Sequence, residues 1–235
     1  LTVRYLIKFT KEADIKFVAH LDLMRTIQRI VRRAGLPASY SKGFNPHMSL
    51  SLAQPLAVGV YSSGDYMDLE LEEERDTEEI IEKLNESSPI GIKFLKAVKV
   101  ISEDDRKLPQ SMALLDAARY TIKIKSLQGE KATEEFKELI KMPEWVTSKK
   151  SKKGIKQVDI KPMIKELKYW NKDNELIINA LISCGSRENL SAELLSSYIS
   201  DNLKSSDKEA FIEISREEMY TLKNNKLVSL LNYVS

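Results

Sequence analysis

In VRYLIKFTK at the start of the chain, Val3, Tyr5, Ile7 and Phe9 alternate with Arg4, Leu6 and Lys8, which predicts a half-buried strand. The period then lengthens. Leu23, Ile27, Ile30 and Val31 fall at i, i+4, i+7 and i+8, the spacing of one buried helix face. Gly35 and Pro37 stop this helix, and Asp22 or His20 is expected to cap its start. Two further strands follow, MSLSLA with Met48, Leu50 and Leu52 on one face, and DYMDLELEE beyond Pro55 and Gly59. Asp76-Thr77 opens a second helix with an apolar stripe of Ile80, Ile81 and Leu84 and an acidic first turn, as the helix dipole prefers. IKFLKAVKVIS supplies a fourth strand. The order β-α-β-β-α-β is that of a ferredoxin-like unit.

The second half repeats this order without repeating residues. ARYTIKIKS predicts a strand, and TEEFKELIKM a helix with Phe136, Leu139 and Ile140 inward. KELKYWNKDNELIINALIS predicts two strands around a turn at Asn171 to Asn174, followed by a helix in ENLSAELLSSYISDNL and a strand in EAFIEISREEMYTL. Residues 144–161 break the pattern. The expected class is α+β, with two ferredoxin-like (βαββαβ) domains in tandem. Their expected bounds are 1–103 and 118–222, joined by a linker at 104–117 and followed by a C-terminal tail at 223–235.

Composition narrows the function classes. With 42% hydrophobic and 31% charged residues the sequence suits a soluble globular protein, and 235 residues can bury a substantial core. A net charge of +2 means that any nucleic-acid footprint must be local. The lone Cys184 excludes an internal disulfide framework and fits a reducing cytosol, no apolar run approaches a membrane span, and LTVRYLIKF lacks a signal-peptide layout. A cytoplasmic location is expected. There is no phosphate-loop pattern, HExxH or paired cysteine, so no metal, haem or nucleotide cofactor is implied.

Local charge is concentrated in the first helix. Arg25, Arg29, Arg32 and Arg33 repeat the spacing of the apolar stripe on the opposite side, with no interleaved acid to form i,i+4 pairs. Two readings are open: a solvated surface that happens to be basic, or a surface facing phosphates, for which guanidinium is well suited. The loop SKGFNPHMS follows, in which Gly43 permits a positive φ, Asn45-Pro46 favours a turn, and Lys42, Phe44 and His47 are the prominent groups. A cationic loop carrying a ring beside an arginine face is a means of holding a base and its phosphate. The alternative tucks Phe44 into the core. Lys149, Lys150, Lys152, Lys153, Lys156 and Lys161 surround Gly154 and form a candidate cationic hairpin, with Trp145, Tyr169 and Trp170 near it in sequence. The turn CGSREN offers backbone amides and Arg187 to a phosphate, or is a plain turn with Asn189 as helix N-cap. The acidic run from Asp68 to Glu79 reads as a solvated edge.

The stretch HLDLMRTIQRIVRRAGLPASYSKGFNPHMSLSLAQPLAVGV, ending in GDYMDLEL, resembles the radical-SAM-linked protein family, a bacterial family of unknown function. SKGFNPH and PLAVGV carry the specific part, with weaker likeness in GIKQVDIKPMI and CGSRENLSAELL, so the resemblance spans most of the chain. Members stand alone or are fused to cobalamin-binding radical S-adenosylmethionine proteins. The resemblance implies a radical-SAM partner or a role near RNA processing. It supplies no catalytic residue, and the chain lacks the CxxxCxxC motif that such chemistry requires.

Together these features lead to an expected non-catalytic RNA-binding or RNA-presenting module that acts with a modifying or processing enzyme. A second reading is a metal-independent RNA endonuclease using His47 as general base, with His20 or Tyr40 assisting. That reading rests on fold analogy alone. A third is a protein-docking partner.

Overall fold

The computed structural model describes residues 2–101, 108–151 and 154–234, apart from the side chains of residues 150 and 151. The fold is α+β, and the chain divides into two compact units: Leu1–Asp116 with Arg216–Ser235, and Ala117–Ser215.

In the first unit, strand β1 (Val3–Lys11) leads to helix α1 (His20–Arg33), strands β2 (Leu50–Leu52) and β3 (Val60–Leu71), helix α2 (Thr77–Glu86) and strand β4 (Phe94–Lys99). β1 pairs antiparallel with both β3 and β4, and β2 pairs antiparallel with β3, giving the order β4-β1-β3-β2. The inward positions of β1 join the stripes of both helices in one cluster. Tyr5, Ile7 and Phe9 meet Leu23, Ile27, Ile30 and Val31 of α1, and Ile80 and Leu84 of α2. Each of these side chains contributes roughly 1.5–3 kcal/mol on burial, so the stripe anchors α1 far more firmly than helix propensity does. α1 begins after Ala19 with no side-chain cap, so neither His20 nor Asp22 caps it. Asp76 caps α2, accepting from the amides of Glu78 and Glu79. The acidic run is not wholly a solvated edge. Asp68 is buried and accepts from the Ser111 amide at 2.9 Å and from its hydroxyl, with Arg4 Nε 3.8 Å away. Ser111 opens the short helix α3 (Ser111–Leu114) within the expected linker, whose described part up to Asp116 is thus built into the first unit.

The second unit runs from β5 (Ala117–Lys125) through α4 (Lys131–Lys141), β6 (Val146–Ser151), β7 (Gly154–Asp159), β8 (Ile164–Lys172), β9 (Glu175–Ser183) and α5 (Ala192–Asn202). β9 pairs antiparallel with both β5 and β8. The segment that breaks the sequence pattern is a separate two-stranded ribbon, β6 with β7. The β8–β9 turn holds Asp173 and Asn174 at positive φ, 52° and 60°, the backbone that a two-residue hairpin requires. Trp145 is buried and stacks on Tyr198, with ring centroids 5.4 Å apart. Tyr169 meets Phe136 of α4 edge-on at 5.1 Å.

β10 (Glu213–Lys223) carries the chain back. From Arg216 onward it belongs to the first unit, together with β11 (Lys226–Ser229) and α6 (Leu230–Val234). The segment expected to close the second half, and the expected tail, therefore largely complete the first. Among the contacts that hold β10 to β3, the Arg216 guanidinium reaches Asp65, and Gly64 lies so near Glu217 that a Cβ would come within 2.0 Å of its carbonyl oxygen. Among the described residues no helix is long and apolar enough to cross a membrane.

Candidate functional site

Because α1 buries one stripe, its other side is held out to solvent, and Arg25, Arg29, Arg32 and Arg33 are all exposed there. They differ in what they hold. Arg25 pairs with Asp22 at 3.2 Å, an i,i+3 contact absent from the sequence expectation. Both groups are exposed, so the pair contributes less than about 1 kcal/mol and competes weakly with another anion. Arg33 donates to the Ser87 carbonyl at 2.6 Å, behind α2. Arg32 Nε donates to the Tyr40 hydroxyl at 3.4 Å. Arg29 has no hydrogen bond or ion pair among the described residues.

The Arg32–Tyr40 contact joins the helix to the loop behind it. Tyr40 bridges Met48, the Ser41 amide donates to the His47 carbonyl at 2.8 Å, and the His47 amide donates to Ser41 Oγ at 2.9 Å. Buried Met48 anchors this stem, and all seven residues from Ser41 to His47 stand outside it. Gly43 adopts φ +136°, which lets the chain reverse. Phe44 follows at the tip, fully exposed rather than tucked into the core. Lys42 and His47 flank it in solvent. His20 lies apart. Arg32 lies twelve positions further along α1, about 18 Å along the axis, so His20 does not join Tyr40 and His47.

The second-unit cations are only partly available. Lys149 and Lys156 face each other across the ribbon, but Lys149 Nζ donates to the Asn189 carbonyl at 2.7 Å, whereas Lys156 is exposed. Lys152 and Lys153 lie outside the described residues, as does the side chain of Lys150. Lys161 is drawn away from the ribbon. Its ammonium donates to the carbonyls of Ile140 (2.9 Å) and Met142 at the end of α4, where helical carbonyls lack partners. Arg187 is exposed in its turn, but the N-cap of α5 is Ser191, which accepts from the Leu194 amide, not Asn189.

Residues 4–192 match a family described as uncharacterized protein conserved in bacteria (DUF2344). The chain belongs to this family. No curated protein matches it. Among solved structures, the crystal structure of an unknown protein from Galdieria sulphuraria is similar over 92% of this chain and 98% of that one, at 10% identity and a TM-score of 0.27. The stretch matched to DUF2344 takes in the arginine helix, the Phe44 loop and the lysine ribbon, and ends at the first residue of α5.

One cluster in this DUF2344 chain draws on residues beyond that stretch and was not anticipated. Arg216, fully buried, pairs with buried Asp65 at 2.7 Å and also donates to the Gln54 carbonyl at 3.1 Å. Ser62 Oγ lies 2.8 Å from Asp65 Oδ1 and 3.0 Å from the Arg216 carbonyl and shares its one proton between them. Lys11, also fully buried, donates to the carbonyls of Lys16 (2.8 Å) and Val60 (3.1 Å), tying together the loops before α1 and before β3. Burial pulls its ammonium below the usual lysine range, with Asp65 opposing and Arg216 reinforcing the shift. His20 is shifted downward from the same causes in the same order, which favours neutral imidazole, and its Nδ1 is buried without a hydrogen-bond partner. Continuing the alternation of Tyr5, Ile7 and Phe9 to Lys11 would have flagged that residue as inward. Nothing local could have linked Asp65 with Arg216, which are 151 positions apart.

Proposed function

We propose that this DUF2344 chain is a non-catalytic module that binds single-stranded RNA and presents it to an RNA-modifying or processing enzyme. The observation that carries the reading is Phe44, a fully exposed ring at the tip of a loop whose stem is hydrogen-bonded to the arginine face. Exposing a phenyl ring to water is unfavourable, and stacking on an unpaired base relieves that cost without demanding a particular sequence. Arg29 and Arg32 supply planar donors for the adjoining phosphates, and Lys42 adds charge at the loop. Asp22 is the acid paired on this face, and exchanging that surface pair for a phosphate costs little.

The resemblance to radical-SAM-linked proteins makes a radical-SAM enzyme the expected recipient of the RNA. With one cysteine the chain cannot itself hold the cluster of such an enzyme. In this arrangement, binding and positioning belong to this chain and bond-breaking to its partner.

A charge-reversed variant, Arg25→Glu with Arg29→Glu and Arg32→Glu, tests the assignment by fluorescence anisotropy with a labelled RNA over a series of salt concentrations. The altered groups are solvent-exposed, so the fold is expected to persist by circular dichroism. Weaker binding and a flatter salt dependence are expected. Unchanged binding would overturn the assignment. Cleaved RNA that disappears with His47→Ala would replace it with a general-base role for His47.

A further inference from the structure

Trp170 is an exposed aromatic on the second unit. In β8, alternate residues share a face: Glu166, Lys168, Trp170 and Lys172 lie on one side, and Leu167, Tyr169 and Asn171 on the other. Tyr169 meets Phe136 of α4, so Trp170 points to the face opposite that helix. There it is 45% exposed, whereas the chain's other tryptophan, Trp145, is 1% exposed in the core.

Strand register maps what surrounds it. Trp170 lies opposite Ile177, which lies opposite Lys123; Lys168 lies opposite Asn179, and Asn179 opposite Thr121; Lys172 lies opposite Glu175, and Glu175 opposite Lys125. Two of the acids nearby are engaged, while Glu175 faces Lys172 across the hairpin. Glu166 pairs with Arg119 at 2.6 Å and Glu213 with Lys123 at 2.9 Å. Lys168 and Lys172 are exposed and carry no hydrogen bond or ion pair among the described residues. Trp170 is thus bracketed by two lysines on the same face, each two residues away along an extended strand, so that their Cα atoms lie about 6.6 Å from its own. A ring with cations on both sides matches the chemistry of a base between backbone phosphates. An acidic peptide would satisfy the ammonium groups but give the indole no flat partner.

We propose that this face of the second unit is a further contact for single-stranded RNA, with a base stacked on Trp170 and its neighbouring phosphates on Lys168 and Lys172. The proposal rests on the RNA-binding reading of the whole chain and adds a site on the other unit. It does not depend on how the two units are arranged.

Tryptophan emission from the full chain, titrated with a short oligoadenylate RNA, tests it directly, because the second indole is buried. Quenching that tracks the anisotropy isotherm is expected. Trp170→Phe should abolish the quench while retaining most of the affinity, and Trp170→Ala should weaken binding about tenfold, the effect of losing one stacked base. Both variants are checked for folding by circular dichroism. If RNA binds in a salt-dependent way without quenching, and Trp170→Ala binds like wild type, this inference falls and the Phe44 site stands. Absence of any RNA binding overturns both. Equal quenching by polyglutamate would show that the face reads charge alone and would overturn base stacking.

Discussion

Asp65, Arg216 and Lys11, with half-buried His20 near them, place more charge-bearing chemistry in the interior than the near-neutral composition suggests. The Asp65 and Arg216 side chains are 4% and 0% exposed, so removing either leaves an ion stranded in a low-dielectric site. Asp65→Asn is therefore expected to lower stability by about 3–5 kcal/mol, whereas an apolar replacement of both partners should cost much less. Urea denaturation of the single and double variants measures this, and a fully additive double would contradict it. His20 makes a prediction about pH. Its folded pKa lies below its ordinary value of 6.5 because burial disfavours imidazolium. As pH falls through that value the unfolded chain takes up the proton first, so stability is lost on acidification until the lowered folded pKa is passed. The loss between pH 7.5 and pH 5.5 should be smaller in His20→Gln. Stability that rises over that interval in wild type, relative to His20→Gln, would contradict the assignment.

At the scale of elements, β3 shows how a strand can depend on a single missing side chain. A Cβ on Gly64 would meet the Glu217 carbonyl oxygen at 2.0 Å, and that atom belongs to backbone rather than to a movable side chain. Gly64→Ala must push β10 from β3, with an expected loss of about 1–3 kcal/mol or more. A melting temperature equal to that of wild type would contradict this. The elements differ in how legible they were in the sequence. α1 was legible because its stripe and its stop signal agree, and so was the β8–β9 hairpin, whose turn needs residues tolerant of positive φ. The β6–β7 ribbon was legible only as a lysine-rich hairpin at Gly154, and its strand bounds were not, because residues 144–161 are mostly polar and leave no alternation to read. The start of α1 misled for a different reason: Ala19 precedes the helix without a side-chain cap, so the polar residues nearby marked the wrong position. Likewise Asp68, lying in an acidic run, gave no local sign that Ser111 and Arg4 would enclose it.

For the whole molecule, chain order and spatial order part company at Arg216. A reading that pairs neighbours in sequence assigns the last strand to the second half, but the structure returns it to the first unit through contacts such as Lys8–Glu218 at 2.7 Å, 210 residues apart. Partners so far apart leave no periodic signal, which is why the division between units was harder to infer than the elements themselves. For function, each unit carries an exposed aromatic with cations near it, Phe44 in the first and Trp170 in the second. Local sequence showed the first through its glycine, proline and arginine pattern. Trp170 required strand register, since KYWNK alone does not say which side of a sheet the indole faces. RNA binding by this chain is tested most simply by the affinity of the intact protein for single-stranded RNA as salt is varied. Binding is expected at low salt, with the logarithm of the affinity falling linearly with log salt at a slope of about −0.7 for each phosphate engaged, so that two to four contacts give a slope of roughly −1.4 to −2.8. No binding at low salt, or binding indifferent to salt, would contradict it.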